Sequence, residues 1–249
     1  MNEAQLLGSR TAKNGFANER EVADKFNSWR IDHEAQQWLE IMQYKLSEIE
    51  YVRAEVITNI FPKPKSDINV QITIKLKNVV DTQNISVKLV SNKKGFNQID
   101  KRKVDKYVEL WHIPEEVAIL LKLFTGEIIS NKLNLRDKRR MFMDEFSIEE
   151  QKKVLNFFRE NQSIVVSDIL RGRGDFAVEW VLVAQKVVNE SKWILKNINE
   201  VMNYYSGDVV ISKKCSINIG HIHIQRKGGT PDPTSLQFKI DPTELFNLS

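Results

Sequence analysis

Two stretches between Ser66 and Val90 alternate apolar with polar side chains, and a period of two marks a half-buried β-strand. In Ile68-Asn-Val-Gln-Ile-Thr-Ile74 the apolar phase is Ile68, Val70, Ile72 and Ile74, which leaves Asp67 at the strand's head on the opposite face. In Asn84-Ile-Ser-Val-Lys-Leu-Val90 the apolar phase is Ile85, Val87 and Leu89, so Ser86 and Lys88 share the other face. An acid, a hydroxyl and an amine are thereby expected in one cleft.

The rest of the composition bounds what surrounds that cleft. With 249 residues, 41% of them hydrophobic, the chain can bury a large core, and a single domain over residues 1–249 is expected. No run of eighteen apolar residues and no charged-then-apolar leader occurs, which predicts neither a membrane span nor export. A lone cysteine, Cys215, excludes an internal disulfide and suits a reducing cytoplasm. The formal net charge of +4 permits a polyanionic partner. Its clustering says more: Lys93, Lys94, Lys101, Arg102 and Lys103 follow the second strand, and Arg136, Lys138, Arg139, Arg140, Arg171, Arg173, Arg226 and Lys227 recur later.

Helical spacing is expected over residues 15–29, with Phe16, Val22, Ala23 and Phe26 as its stripe, and over 34–48. Ile99, Val104, Val108 and Trp111 space out a further helix that Pro114 stops. Ser147-Ile-Glu-Glu150 is a capping box opening a helix with Val154, Leu155 and Phe158 inward. Residues 163–169 and 176–187 read as strands, and Ile194, Ile198, Val201, Met202 and Tyr205 as one helix ending near Gly207. Near the C-terminus the apolar phase Ile217, Ile219 slips to Ile222, Ile224 at Gly220, as a bulge would make it. His221, His223, Gln225 and Lys227 then share a polar face, and in the partner strand Leu236, Phe238 and Ile240 turn inward with Gln237 and Lys239 outward. Such a ribbon can enter a major groove, where Gln suits adenine and Arg or Lys suits guanine; a plain solvated strand face is the alternative. The expected class is α/β, more closely α+β: a central mixed β-sheet flanked by helices, with a C-terminal β-hairpin.

Phosphodiester hydrolysis needs a metal to activate water, negative ligands to hold it, and a cation where charge develops. Asp67 and Lys88 supply the acid and the cation, although a simple cross-strand ion pair would use the same two residues. The pattern Ser66-Asp67-x18-Ser86-x-Lys88 resembles the PD-(D/E)XK nuclease motif. The blocks around it resemble the type II restriction endonucleases of that superfamily that cut GCGC. They are Gly15-Phe-x-Asn-Glu19, Ser66 to Gln71, Val87 to Lys101, Asp137 to Met143, Asp168 to Phe176, Glu179 to Lys186, Ile224 to Gly229 and Leu236 to Phe246, in order along nearly the whole chain.

That resemblance implies a restriction-endonuclease-like core, a Mg²⁺ cofactor and double-stranded DNA as substrate. It makes Asp67 the metal-binding aspartate, Val87 a metal ligand through its backbone carbonyl, Lys88 the motif lysine and Glu19 an assisting carboxylate. Ser86 departs from the pattern, which carries Glu or Asp in the superfamily and Gln in this family. A hydroxyl is a weaker ligand for a hard cation than a carboxylate. Cleavage after the first G with a 5′ overhang, and a cognate methyltransferase as functional partner, are implied in the same way.

Phe96, exposed in a basic loop, suits a wedge between base steps, with Lys93, Asn97, Gln98 and Lys101 reaching the grooves. Arg171 and Arg173, alternating with glycines, suit guanine edges, an internal Arg173–Asp175 ion pair being the alternative, and Gln225, Arg226, Lys227, Gln237 and Lys239 belong to the hairpin's contact set. His221 and His223 have the spacing of a ligand pair, with no third ligand nearby. A DNA-binding protein with weakened catalysis and a structure-selective nuclease are the rival functions. A monomer and a homodimer both fit a palindromic site.

Overall fold

The computed structural model describes residues 17–57, 70–187, 190–227 and 234–248. Two compact units emerge, one from Met1–Gly95, Arg171–Val201 and Pro242–Ser249, the other from Phe96–Leu170 and Met202–Asp241.

The first unit is a five-stranded mixed sheet in the order β1-β2-β3-β5-β6, comprising β1 (Ile49–Val56), β2 (Val70–Leu76), β3 (Val80–Val90), β5 (Trp180–Val187) and β6 (Glu190–Asn197). All pairings are antiparallel except β3 with β5, so β3 lies at the centre with its only parallel neighbour beside it. The expected alternation appears in the register. Val70, Ile72 and Ile74 are fully buried, as is Ile85, and Val87 joins them, while Leu89 is half-buried. Each such side chain stabilises the sheet by roughly 1.5–3 kcal/mol through removal from water.

Against this face pack two helices, α1 (residues 17–27) and α2 (His33–Ile41), through Val22, Ala23, Phe26, Ala35, Trp38 and Leu39. Asp32 caps α2 by accepting from the Ala35 N–H at 2.9 Å. The helix expected to reach residue 48 stops at Ile41, because Gln43 takes a left-handed conformation (φ 69°) and the Tyr44 N–H turns back to the Leu39 carbonyl. The chain then enters β1, an edge strand whose outer face carries Glu50, Arg53 and Glu55; these charges blunt an exposed edge and also mask its alternation in the sequence.

The second unit is wholly antiparallel in its sheet, ordered β4-β10-β9-β8-β7 from β4 (Asn97–Arg102), β7 (Val209–Ile211), β8 (Ile217–Ile219), β9 (Ile222–Arg226) and β10 (Leu236–Ile240). Its helices are α3 (Val104–Trp111), α4 (Glu115–Thr125), α5 (Ile148–Glu160) and α6 (Gln162–Leu170). The capping box at Ser147 and Glu150 forms in both directions, at 3.2 and 2.7 Å, and α5 buries Val154 and Phe158 with Phe157, while Leu155 is only half-buried.

Four local expectations are corrected. Ile99 belongs to β4, not to the following helix, which starts at Val104. Residues 163–169 lie in α6: Val165 and Val166 are buried while Ile164 is exposed, and Asp168 accepts from the Trp111 indole N–H at 2.8 Å. Ile194 lies in β6, and the helix α7 spans Ile198–Tyr205, stopping before Gly207. The phase slip at Gly220 is a two-residue hairpin turn, not a bulge, since Ile219 pairs with Ile222 and Gly220 has φ +51°. A Cβ at Gly220 would stand 2.6 Å from the Tyr205 carbonyl oxygen and from Ser206 backbone atoms. Among the described residues no helix is long and apolar enough to cross a membrane.

Candidate active site

Residue parity on β3 sets the site. Ser86 pairs with Val181 and Lys88 with Val183 across the parallel ladder, so both side chains leave the sheet on the face opposite Ile85 and Val87. Ser86 is 4% exposed and Lys88 half-buried. Gln71 and Asn84 occupy the same face beside them. The short helical turn Pro242–Asn247 packs over the neighbouring strands there, where Lys192 lies 4.5 Å from the Phe246 ring and Lys196 donates to the Leu248 carbonyl at 3.0 Å.

Asp67 falls outside the described residues. Glu19 sits half-buried on α1, and two residues later Glu21 forms an ion pair with Lys186 of β5. Among the described residues no group of three or more His, Cys, Asp or Glu is arranged to hold a metal ion. The donors available on the motif strand are oxygens, the buried Ser86 hydroxyl and the Val87 carbonyl, which suits a hard divalent cation.

Of the expected contact residues in the first unit, Lys93, Arg171 and Arg173 are exposed. Gly172 and Gly174 around Arg173 have φ +78° and +74°, conformations that side chains other than glycine rarely adopt. The sheet of the second unit lines up two polar rows on one face. Gln98, Lys239, His223 and Asn218 are in register across four strands, and Lys101, Gln237 and Gln225 across three. Phe96 is 56% exposed and leans edge-on against His223, ring centroids 4.7 Å apart. Asn97 and Lys239 are half-buried, as are Gln225 and Lys227. His221 stacks on Tyr204 at 4.9 Å, in the turn and away from the row containing His223.

Two residues of the expected set are corrected. Gln237 is 6% exposed, its amide bonded to Gln98. Arg226 faces the other way: its guanidinium is buried and lies 3.7 Å from the Asp137 carboxylate. That carboxylate is the centre of a knot the sequence showed only as a basic run. Arg139 binds it through two N–H groups, at 2.9 and 3.0 Å, and Arg140 stands 3.9 Å away. The bonds from Arg139 hold the Asp137 carboxyl at about 2, well below the usual carboxylate range. Burial pushes the Arg140 guanidinium down, with Arg226 adding repulsion. Phe142 lies between two cations, 4.4 Å from the Arg136 guanidinium and 4.2 Å from that of Arg140.

Sequence reasoning missed two buried amides near the motif strand, Asn84 and Gln185. Their only local signal is polarity within a strand pattern.

Comparison with known proteins agrees with this architecture. Residues 42–246 match the family described as R.HinP1I restriction endonuclease. The crystal structure of restriction endonuclease MspI in complex with its cognate DNA superposes with a TM-score of 0.68 at 13% identity, covering 96% of this chain and 93% of that one. The mixed sheet with flanking helices is thus the fold of that enzyme. A search of curated proteins finds no match.

Proposed function

The chain belongs to the R.HinP1I restriction endonuclease family and is a type II site-specific deoxyribonuclease; on that premise we propose that it hydrolyses duplex DNA at GCGC with Mg²⁺, cutting after the first G. The observation that carries the reading is the placement of Ser86 and Lys88 on one face of the central strand, two residues apart, with the Val87 carbonyl between them. Asp67, the Val87 carbonyl and Glu19 would hold the metal, and the Ser86 hydroxyl would contribute a neutral oxygen, directly or through water. When bound, the metal lowers the pKa of its water and offsets phosphoryl charge. Lys88 orients the attacking water and stabilises the charge that develops on the phosphate. The exposed Lys93, Arg171 and Arg173, and the polar rows with Phe96, contact the duplex. Gln98, Lys101, Gln225 and Lys239 supply amides and amines for base edges, and Lys227 a cation for phosphate.

Guanines at both ends of the site demand donors for O6 and N7, which arginine and lysine provide. A cognate methyltransferase protects host sites, and the enzyme works in the cytoplasm as a monomer or a homodimer. Mapping fragment ends from a Mg²⁺ digest of DNA of known sequence tests activity, site and cut position together. Ends one base into GCGC are expected. Ends at unrelated sequences or at branched structures would replace this reading with that of a structure-selective nuclease, and gel-shift affinity without cleavage in Mg²⁺ or Mn²⁺ with that of a binding protein.

A further inference from the structure

Two buried side-chain amides flank the motif residues, and each gives its NH₂ group to two carbonyls of one loop. Asn84, two residues before Ser86 on β3, donates from Nδ2 to the Asp175 and Ala177 carbonyls, both at 3.1 Å. Its Oδ1 accepts from Gln71 Nε2 at 3.0 Å, and its backbone N–H donates to the Glu179 carboxylate at 2.6 Å. Gln185 pairs with Val90 in the β3–β5 ladder and so faces the same side of the sheet as Ser86 and Lys88. Its Nε2 donates to the Asn92 carbonyl at 2.8 Å and to the Lys93 carbonyl at 3.1 Å. Two carbonyls facing one amide nitrogen fix which way each amide points.

The loops so held are the ones that carry exposed Arg171, Arg173 and Lys93. Their grip is on backbone carbonyls and does not use those side chains. The loop over 171–177 needs such a grip, since glycine-rich chain at positive φ is otherwise loosely determined. Gln71 extends the tie to β2, the strand that follows Asp67.

We propose that Asn84 and Gln185 are positioning residues that lock the arginine loop and the lysine turn to the motif strand, so that contact with DNA at either loop sets the placement of Ser86 and Lys88. The inference rests on the reading of those loops as DNA-contacting. Asn84→Asp and Gln185→Glu keep the shape of each side chain but turn the donors into an oxygen facing carbonyl oxygens. Four quantities are measured: single-turnover cleavage of a GCGC duplex, cleavage of a duplex with one base pair changed, Kd by gel shift in Ca²⁺, and Tm.

Each variant is expected to cleave GCGC at least tenfold more slowly with Kd within threefold, and to lose discrimination against the changed duplex. A merely structural role lowers Tm and the active fraction but leaves the rate per bound enzyme and the discrimination ratio unchanged; that result overturns the proposal. Should the carboxylates prevent folding, Asn84→Ala and Gln185→Met remove the donors without adding charge and are judged by the same two quantities. Arg171→Ala and Arg173→Ala separate the premise from the inference. If they leave Kd unchanged, the loop does not contact DNA, while the cleavage rate of Asn84→Asp still decides whether Asn84 positions the motif strand.

Discussion

Two arginine-rich segments meet different fates. Between Arg136 and Arg140 the arginines are engaged within the second unit: Arg139 grips Asp137, Arg136 holds Glu145 at 3.4 Å, and Arg136 and Arg140 stack on Phe142. Arg226, distant in sequence, joins the same knot. In the first unit Arg171 and Arg173 stay exposed on a loop shaped by left-handed glycines. A basic stretch is tied to its own unit where a carboxylate or aromatic ring close by in the fold claims its guanidiniums. Asp137, Asp144 and Glu145 make that claim in one segment.

The sharpest break in this comparison is expected from alanine substitution. Replacing Arg171 and Arg173 together should slow GCGC cleavage at least a hundredfold at moderate salt, since a good bidentate base contact is worth about 1–3 kcal/mol. Arg139→Ala should change the rate less than threefold. Equal effects from both, read in the same digestion assay, would erase the distinction. A stability measurement comes next in size. Asp137→Asn leaves Arg140 and the buried Arg226 without their counter-charge and should cost about 2 kcal/mol in a urea unfolding midpoint, with smaller changes from substitutions at exposed Arg171.

The smallest effect is a pH dependence. The Asp137 carboxyl is at about 2 in the folded protein, against an ordinary 3.8, so the folded state binds its proton less readily than the unfolded chain. Its contribution is complete above roughly pH 4–5 and is lost as pH falls towards 2. Acid unfolding of Asp137→Asn should therefore show a shallower loss over that window than the wild type, and parallel curves would remove Asp137 from the account.

The parts of the fold that sequence made legible are those governed by local period. On β2 and β3 the phase of Val70, Ile72, Ile74, Ile85 and Val87 needs only a two-residue repeat, and it placed Ser86 and Lys88 together. The capping box at Ser147 is equally local. Residues 163–169 were not legible, because a short apolar run such as Ile164-Val-Val166 serves a helix as well as a strand. At Gly220 the phase slip was visible but its cause was not, since a bulge and a tight turn shift the apolar phase alike.

Orientation within the polar set was the least legible feature. The Gln237 and Arg226 side chains are buried against partners, Gln98 and Asp137, that lie 139 residues away in one case and in a separate basic run in the other. Asn84 looked like one more polar residue of a strand. Its role emerges only from Asp175 and Ala177, more than ninety residues further on.

The most direct measurement is single-turnover cleavage of a GCGC duplex by Lys88→Ala in Mg²⁺, beside a gel shift in Ca²⁺. With Lys88 as the cation of the motif face, binding should stay within a few-fold of the wild type while cleavage falls below detection. Cleavage at the wild-type rate with DNA bound would contradict the placement of the active centre on that face of β3.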